Sequence, residues 1–413
     1  MGKPFDAAVI GGGPAGASLA IALSRARRSV AVLERSGYEQ PRIGETLPPE
    51  ACVPLADLGV WDRFLEQRHV PSPGTASAWG QEEIEENHFI LNPYGNGWHV
   101  DRRAFDDMLA SAAAAAGATF HRHARMTACD QEASGAWLVE YVCDGRPCQL
   151  RALFLVDATG RACIAARRLG ATRVRSDRLT AVVGVFDGFP EEQEYRTLVE
   201  TTRDGWWYSA RLPNNRVVIA FMTDADLLPL RQSELQTHWL QQLHGTVHTR
   251  GRISGLAIER PLQWMTAASE VLECSAGTRW LAVGDAALAF DPLSSQGICR
   301  SLESGLLGAR AIAAALDGHD SALLDWSFQN RQRFASHVQT RQAYYGLERR
   351  WPDSEFWRRR HTVTPPVQRD SDYGKNAQSY VVALSSLPHS GPSSGRRSET
   401  PPRRPISLSD LPS

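Results

Sequence analysis

The segment FDAAVIGGGPAGASLAIALSRARRSVAVLER, residues 5–35, holds residues whose types and order can bind a dinucleotide. Gly11 permits a sharp turn, and Gly13 lets the backbone approach a pyrophosphate. Ala15 follows in the same turn, and Gly16 and Ala20 let a helix lie close to a sheet. Free N–H groups at that helix's start, with its partial positive charge, then face the phosphates. Glu34 can accept hydrogen bonds from a ribose, with Arg35 beside it.

A second group could move protons or touch a substrate. Glu45 lies in a loop after the second strand and is either a base or a turn carboxylate accepting from backbone N–H groups. His69 precedes a proline-rich loop and either lines a pocket or is solvated. Trp207 and Tyr208 alternate in direction along one strand, so only one of them faces a site. Asp291, next to Pro292, either touches substrate or caps its turn. No Ser-His-Asp order, HExxH or P-loop competes for the chemistry.

Positioning these residues needs a strand, a turn, a helix and a second strand. Ala7–Ile10 and Val30–Leu33 read as buried strands around a helix from Pro14 to Arg25. Prolines 41, 48 and 49 make a loop carrying Arg42 and Gly44–Thr46, followed by a helix from Pro49 to Leu58. Asp101 caps a helix running from Arg102 to Ala116. Strands follow at 118–122, 136–143 and 149–156. Asp157 and Gly160 lie at the carboxyl end of the last, where open α/β sheets bind ligands.

From about 171 to 270 the apolar pattern has period two, interrupted by a helix from Ser233 to Leu243. That predicts a largely antiparallel sheet able to serve as a substrate platform. WLAVGDAALAFDPLSSQGI then returns to the nucleotide pattern. It leads into a helix from Ile298 to Leu316 and an amphipathic helical region from Ala322 to Arg360. The expected fold is α/β: a GxGxxG-type nucleotide-binding domain with a mixed sheet (1–80, 99–170 and 271–320), an antiparallel substrate domain (81–98 and 171–270) and C-terminal helices (321–361). Residues 362–413 are rich in Pro, Ser and Arg and read as a mostly disordered tail, with one short element from Gln378 to Leu384.

A net charge of −1 gives no reason to expect nucleic acid or an anionic membrane as partner. No apolar run approaches the roughly 20 residues that span a bilayer. The first strand starts at residue 5, so no signal peptide is expected and the cytoplasm is the expected location. The seven cysteines form no metal-type CxxC pair and read as reduced thiols; no metal is expected. Acids at 82, 83, 85 and 86 read as a solvated edge, and the run RRWPDSEFWRRRH as a solvated helix end or a grip for an acidic partner.

GGGPAG, the DATG turn at 157–160, and VGD with DPLSSQG at 283–297 together resemble the three fingerprints of FAD-dependent monooxygenases of the aromatic-hydroxylase type, including flavin-dependent halogenases. The resemblance spans roughly residues 5–360. It implies FAD as the dinucleotide, with Asp285 near the ribityl and pyrophosphate. It implies that Ser295, Gln296, Gly297 and Ile298 lie against the flavin pyrimidine edge, and that Arg42 and Arg102 face the cofactor, unless they are surface or capping arginines. It further implies hydroxylation of an electron-rich ring through a flavin C4a-hydroperoxide, with molecular oxygen as co-substrate. The electron donor is NAD(P)H or a flavin reductase partner, since no second GxGxxG is present.

IGETLPP, DGWWYSARLP and ERRWPDSEFWRRRH resemble flavoproteins that mature tryptophan-derived quinone cofactors on a partner oxidase or dehydrogenase subunit. A small or carrier-bound aromatic is the rival substrate. Halogenases depend on a lysine between flavin and substrate, but Lys3 and Lys375 are the only lysines here and the WxWxIP pattern is absent. A flavin-dependent reductase and an FAD-containing escort protein are the remaining alternatives.

Overall fold

In the computed structural model, residues 3–190, 196–229, 231–319 and 321–362 are described. Five parallel strands build the first layer. Their order is Trp280–Ala282, the second half of Arg146–Asp157, Phe5–Ile10, Val30–Leu33 and Thr119–His121. The first half of Arg146–Asp157 instead pairs antiparallel with Trp137–Cys143, which pairs in turn with Ala124–Gln131. The sheet is therefore mixed.

Register decides what this sheet can hold. Ile10 lies beside Leu33 on one side and Asp157 on the other, and Asp157 lies beside Ala282. Four strands thus end level, and the residues after them (Gly11, Glu34, Ala158 and Val283) meet at one rim. The helix Pro14–Arg25 has Pro14 at its first position, where no N–H is needed, and buries an almost wholly apolar sequence. It packs against Gly297–Leu316 at close range. A Cβ on Gly305 would lie 2.4 Å from the Ala15 carbonyl, and the Ser18 hydroxyl donates to the Leu302 carbonyl at 2.7 Å.

The second layer is a seven-stranded sheet ordered Gln263–Thr266, Leu179–Asp187, Arg216–Asp224, Gly205–Leu212, Thr197–Thr202, Gly74–Ala78 and Glu85–His88. All its pairings are antiparallel except Thr197–Thr202 with Gly74–Ala78. The platform thus begins before residue 81, because Gly74–Ala78 joins it by a long-range parallel pairing that local pattern does not encode. One face buries Trp207, Ile219 and Phe221 against the helix Gln232–His244. The other turns Ala181, Tyr208, Ala220 and Met222 toward the first layer. The four-acid stretch runs into the exposed outer strand Glu85–His88.

The expected helical region after residue 322 is two helices, Ser321–Tyr345 and Glu355–His361, interrupted around Pro352. Trp326 and Trp357 are buried, donating to the carbonyls of Ala282 and Thr202 at 3.0 and 2.9 Å. Much of the basic run is engaged within the chain: Arg359 pairs with Asp224 and Asp226, and Arg360 with Asp224. Those arginines anchor the last helix to the platform, so the idea that they grip an acidic partner loses its free charges.

The described residues belong to one compact unit, Met1–Val363. The reading of 363–413 lies outside the described residues. Among these, no helix is long and apolar enough to cross a membrane, and no group of three or more acidic, His or Cys side chains could hold a metal ion.

Candidate functional site

A crevice of about 540 Å³ opens along the rim where the four strands end. Gly11, Gly13 and Ala15, then Gly160, then Asp285, Gly297 and Ile298 all line it, so three distant segments converge on one cavity. Glu34, Arg35, Arg42 and Arg102 line it too, and Glu45 and Tyr208 close its platform side.

The glycines divide by role. Gly11 has φ +103°, and a Cβ there would lie 2.4 Å from the Ala158 carbonyl oxygen. Gly16 is forced by packing, since its Cβ would lie 2.0 Å from the Gly11 carbonyl. At Gly13 an added Cβ would meet only Arg42, at 3.8 Å, and at Gly160 and Gly297 nothing lies within 4 Å. These three border open space, as a cradle for a dinucleotide requires.

Glu34 is buried, accepting from the Gly12 N–H at 2.8 Å and from Arg42 at 3.0 Å. Arg42 reaches on to Asp106 at 3.0 Å, and Arg102 grips the same carboxylate at both oxygens, 3.1 Å each. Burial opposes the charge on Arg42, but Asp106 and Glu34 outweigh it and hold the guanidinium above its ordinary pKa. Arg102 also donates to the carbonyls of Ile43 and Gly44, at 3.0 Å each. It therefore fixes the loop that delivers Glu45, and neither arginine is a surface or capping residue.

Glu45 is buried and its pKa is pushed up by desolvation. The Tyr208 hydroxyl donates to its Oε1 at 2.7 Å, and the Gly44 N–H donates to its Oε2 at 2.9 Å. Tyr208 also shares a 2.5 Å contact with the Thr46 hydroxyl, and burial beside the Glu45 carboxylate raises its phenol well above the usual range. Tyr208 thus faces the crevice while Trp207, fully buried, stacks on Phe221 at 4.7 Å on the opposite face. Asp291 both lines the crevice and caps its turn, accepting from the Leu293 N–H at 2.9 Å and from Tyr345 at 2.9 Å.

Three expected residues lie elsewhere. His69 does not line the crevice, and it is not solvated. It is buried 4.9 Å from the Phe64 ring, and its Nδ1 accepts from the Asp101 N–H. Desolvation pulls its pKa down to about 4, so it stays neutral and braces the start of the Arg102–Ala115 helix. Asp157 spends both oxygens on its own turn, accepting from the Thr159 and Ala166 N–H groups at 2.9 and 2.8 Å. The Gln296 amide points out of the crevice, accepting from the Arg300 Nε at 2.8 Å.

Sequence reasoning missed Asp106 and Arg161. Asp106 stands one helical turn after Arg102, a spacing that signals an ion pair. Arg161, directly after DATG, lines the crevice, donates to the carbonyls of Ala268 and Phe290, and lies 3.6 Å from Asp285. It ties the second fingerprint to the third.

Behind the crevice lies an open groove of about 1160 Å³. Thr46, Asp291 and Ser295 line both spaces, so the two adjoin there.

Comparison with known proteins agrees with this geometry. Residues 5–342 match the family described as FAD binding domain. LodB of Marinomonas mediterranea, named as an FAD-dependent oxidoreductase, is 34% identical over 369 residues, covering 88% of this chain and 98% of LodB. The myxobacterial chondrochloren halogenase CndH shares the fold with a TM-score of 0.80 and 23% identity, over 93% of this chain and 90% of that one. The peptidyl tryptophan dihydroxylase QhpG shares it with a TM-score of 0.74 and 24% identity, over 89% and 80%. At these identities the two structures speak for the fold alone. The converging glycines, the family match and the full-length likeness to LodB have one reading: the chain belongs to the FAD binding domain family, and it is an FAD-dependent oxidoreductase.

Proposed function

We propose that this protein is a monooxygenase that hydroxylates an electron-rich aromatic ring, and that the ring is a tryptophan side chain carried by a partner oxidase or dehydrogenase subunit. The observation that supports this most is the pair of buried Glu45 and half-buried Tyr208 on the crevice wall, in contact with Thr46, which lines both the cradle and the groove. FAD held by the three fingerprints, once reduced by NAD(P)H or a reductase partner, would supply the electrons that activate oxygen, with one oxygen atom entering the ring and the other leaving as water.

The chain's own residues have separate tasks. Gly13, Gly160, Asp285 and the Gly297–Ile298 turn hold the cofactor, with Arg42 and Arg102 fixed by Asp106. Glu45 Oε1 takes the proton that the ring loses on substitution. Burial raises its pKa toward working pH, which suits a base. Tyr208 stays protonated and holds that oxygen in place by donating to it. Ala220 and Met222 keep the inner wall apolar and exclude water.

A groove of larger volume than the crevice fits a ring borne on a chain, and QhpG, a peptidyl tryptophan dihydroxylase, shares this fold. Halogenation is disfavoured because no lysine stands between Lys3 and Lys375. The test supplies reduced FAD-loaded enzyme and oxygen to a tryptophan-bearing partner subunit. The expected product carries one added oxygen per event and is indifferent to bromide. A bromide-dependent product, or reoxidation that yields only hydrogen peroxide, overturns the proposal.

A further inference from the structure

Arg300 and Arg333 stand out among the cations of the groove. Arg300 lies in the opening turn of Gly297–Leu316, half-buried, where a helix's positive end disfavours a cation. Arg333, on the facing helix Ser321–Tyr345, lines the same groove and the same smaller cavity beside it. Among the described residues, neither has a carboxylate within ion-pair distance. Within the described residues the Arg300 guanidinium contacts the Gln296 amide and the Phe290 ring, 4.2 Å below its guanidinium carbon. Arg341, by contrast, is paired with Asp177.

Five carboxylates line the groove and the smaller cavity (Glu85 and Asp291 the groove, Asp285 and Glu303 the cavity, Glu50 both), and none of them is within ion-pair distance of Arg300 or Arg333. Glu50 accepts from the Asn92 amide at 3.1 Å, and Glu303 is exposed and takes the Cys299 thiol at 3.7 Å. Burial, with Arg333 nearby, pulls the Arg300 pKa below its ordinary value; Glu303 acts the other way but does not restore it. Three costs therefore fall on one guanidinium: desolvation, a like charge and the wrong helix end. An anion arriving from outside would relieve all three.

We infer that Arg300 and Arg333 form an anion subsite in the groove, and that the aromatic substrate carries a carboxylate seated there. The inference rests on the reading that the aromatic ring enters the crevice from this groove, and it narrows the substrate to an aromatic group with a nearby negative charge. Neither arginine lines the FAD crevice itself, although the smaller cavity they share adjoins it at Asp285, Phe290, Gly297 and Ser301, and FAD content of the variants separates a substrate role from a cofactor role.

The test measures binding to FAD-loaded enzyme without turnover, at fixed ionic strength. One arm compares indoleacetate with its neutral amide. A second compares tryptophan peptides flanked by glutamate or by glutamine. The charged probe is expected to bind about tenfold more tightly in at least one arm. Arg300→Gln and Arg333→Gln should each reduce that preference without changing FAD content or affinity for the neutral probe. A preference in the first arm alone assigns the carboxylate to a small aromatic acid, and in the second alone to a polypeptide. Equal binding, no binding by any probe, or a preference that survives both substitutions overturns the inference. Preference without hydroxylation would sink the proposed function and leave the subsite standing.

Discussion

Two glycines of one motif have opposite tasks, and substitution separates them. Gly13 borders open space, so Gly13→Val should leave the fold intact yet weaken FAD binding by at least ~10-fold, measured by flavin fluorescence titration. Gly16 is packed on the Gly11 carbonyl, so Gly16→Val should destabilise the fold by roughly 1–3 kcal/mol in urea melts. Tyr208→Phe removes the donor to Glu45 and should lower the hydroxylation rate by about 10²-fold with FAD content unchanged. The raised pKa of Glu45 has a definite sign. A base must be ionised, so the rate should fall with decreasing pH before the ordinary Glu range near ~4.3 is reached. The same shift favours the neutral acid in the fold, so any stability it contributes is lost as pH rises through the folded pKa. The convergence of the glycine fingerprints was legible because spacing alone states the demand for close backbone approach. His69 was not, because a loop sequence does not reveal that Phe64 and Phe105 enclose it.

The Arg102–Ala115 helix shows how an element positions a site it hardly touches. Its Asp106 carboxylate is fully buried and holds both Arg42 and Arg102. Asp106→Ala would leave Arg102 without a carboxylate and Arg42 with Glu34 alone, and a cost of about 3 kcal/mol is expected in thermal or urea unfolding, with weakened FAD binding. The strand and helix types of the nucleotide layer were readable because each is a buried run with its own cap or turn. The antiparallel platform was readable from period two. The entry of Gly74–Ala78 into that platform was not, because its partner Thr197–Thr202 lies far along the chain. The break between the last two helices was masked by an amphipathic pattern that continues through Pro352.

Across the described residues, His69 and His99 are buried and His337 half-buried, each in neutral form. Desolvation lowers His69 and His337 to about 4 and His99 to about 3, from an ordinary 6.5. The unfolded chain binds these protons first, so stability is fully present above pH 6.5 and declines as pH falls toward the folded values. Urea midpoints should drop across that window, and a His69→Gln, His99→Gln double variant should show a shallower drop; a pH-independent midpoint would refute this. The layers bring one cradle and one groove together at Thr46, next to Glu45, and the central claim is that oxygen transfer to a ring takes place there. Isotopically heavy dioxygen given to the reduced, FAD-loaded enzyme with a tryptophan-bearing partner subunit tests this most directly. The account predicts heavy oxygen in the tryptophan product, and its loss in Glu45→Gln with FAD still bound. Heavy oxygen confined to peroxide or water, or incorporation by Glu45→Gln at the unsubstituted rate, would contradict it.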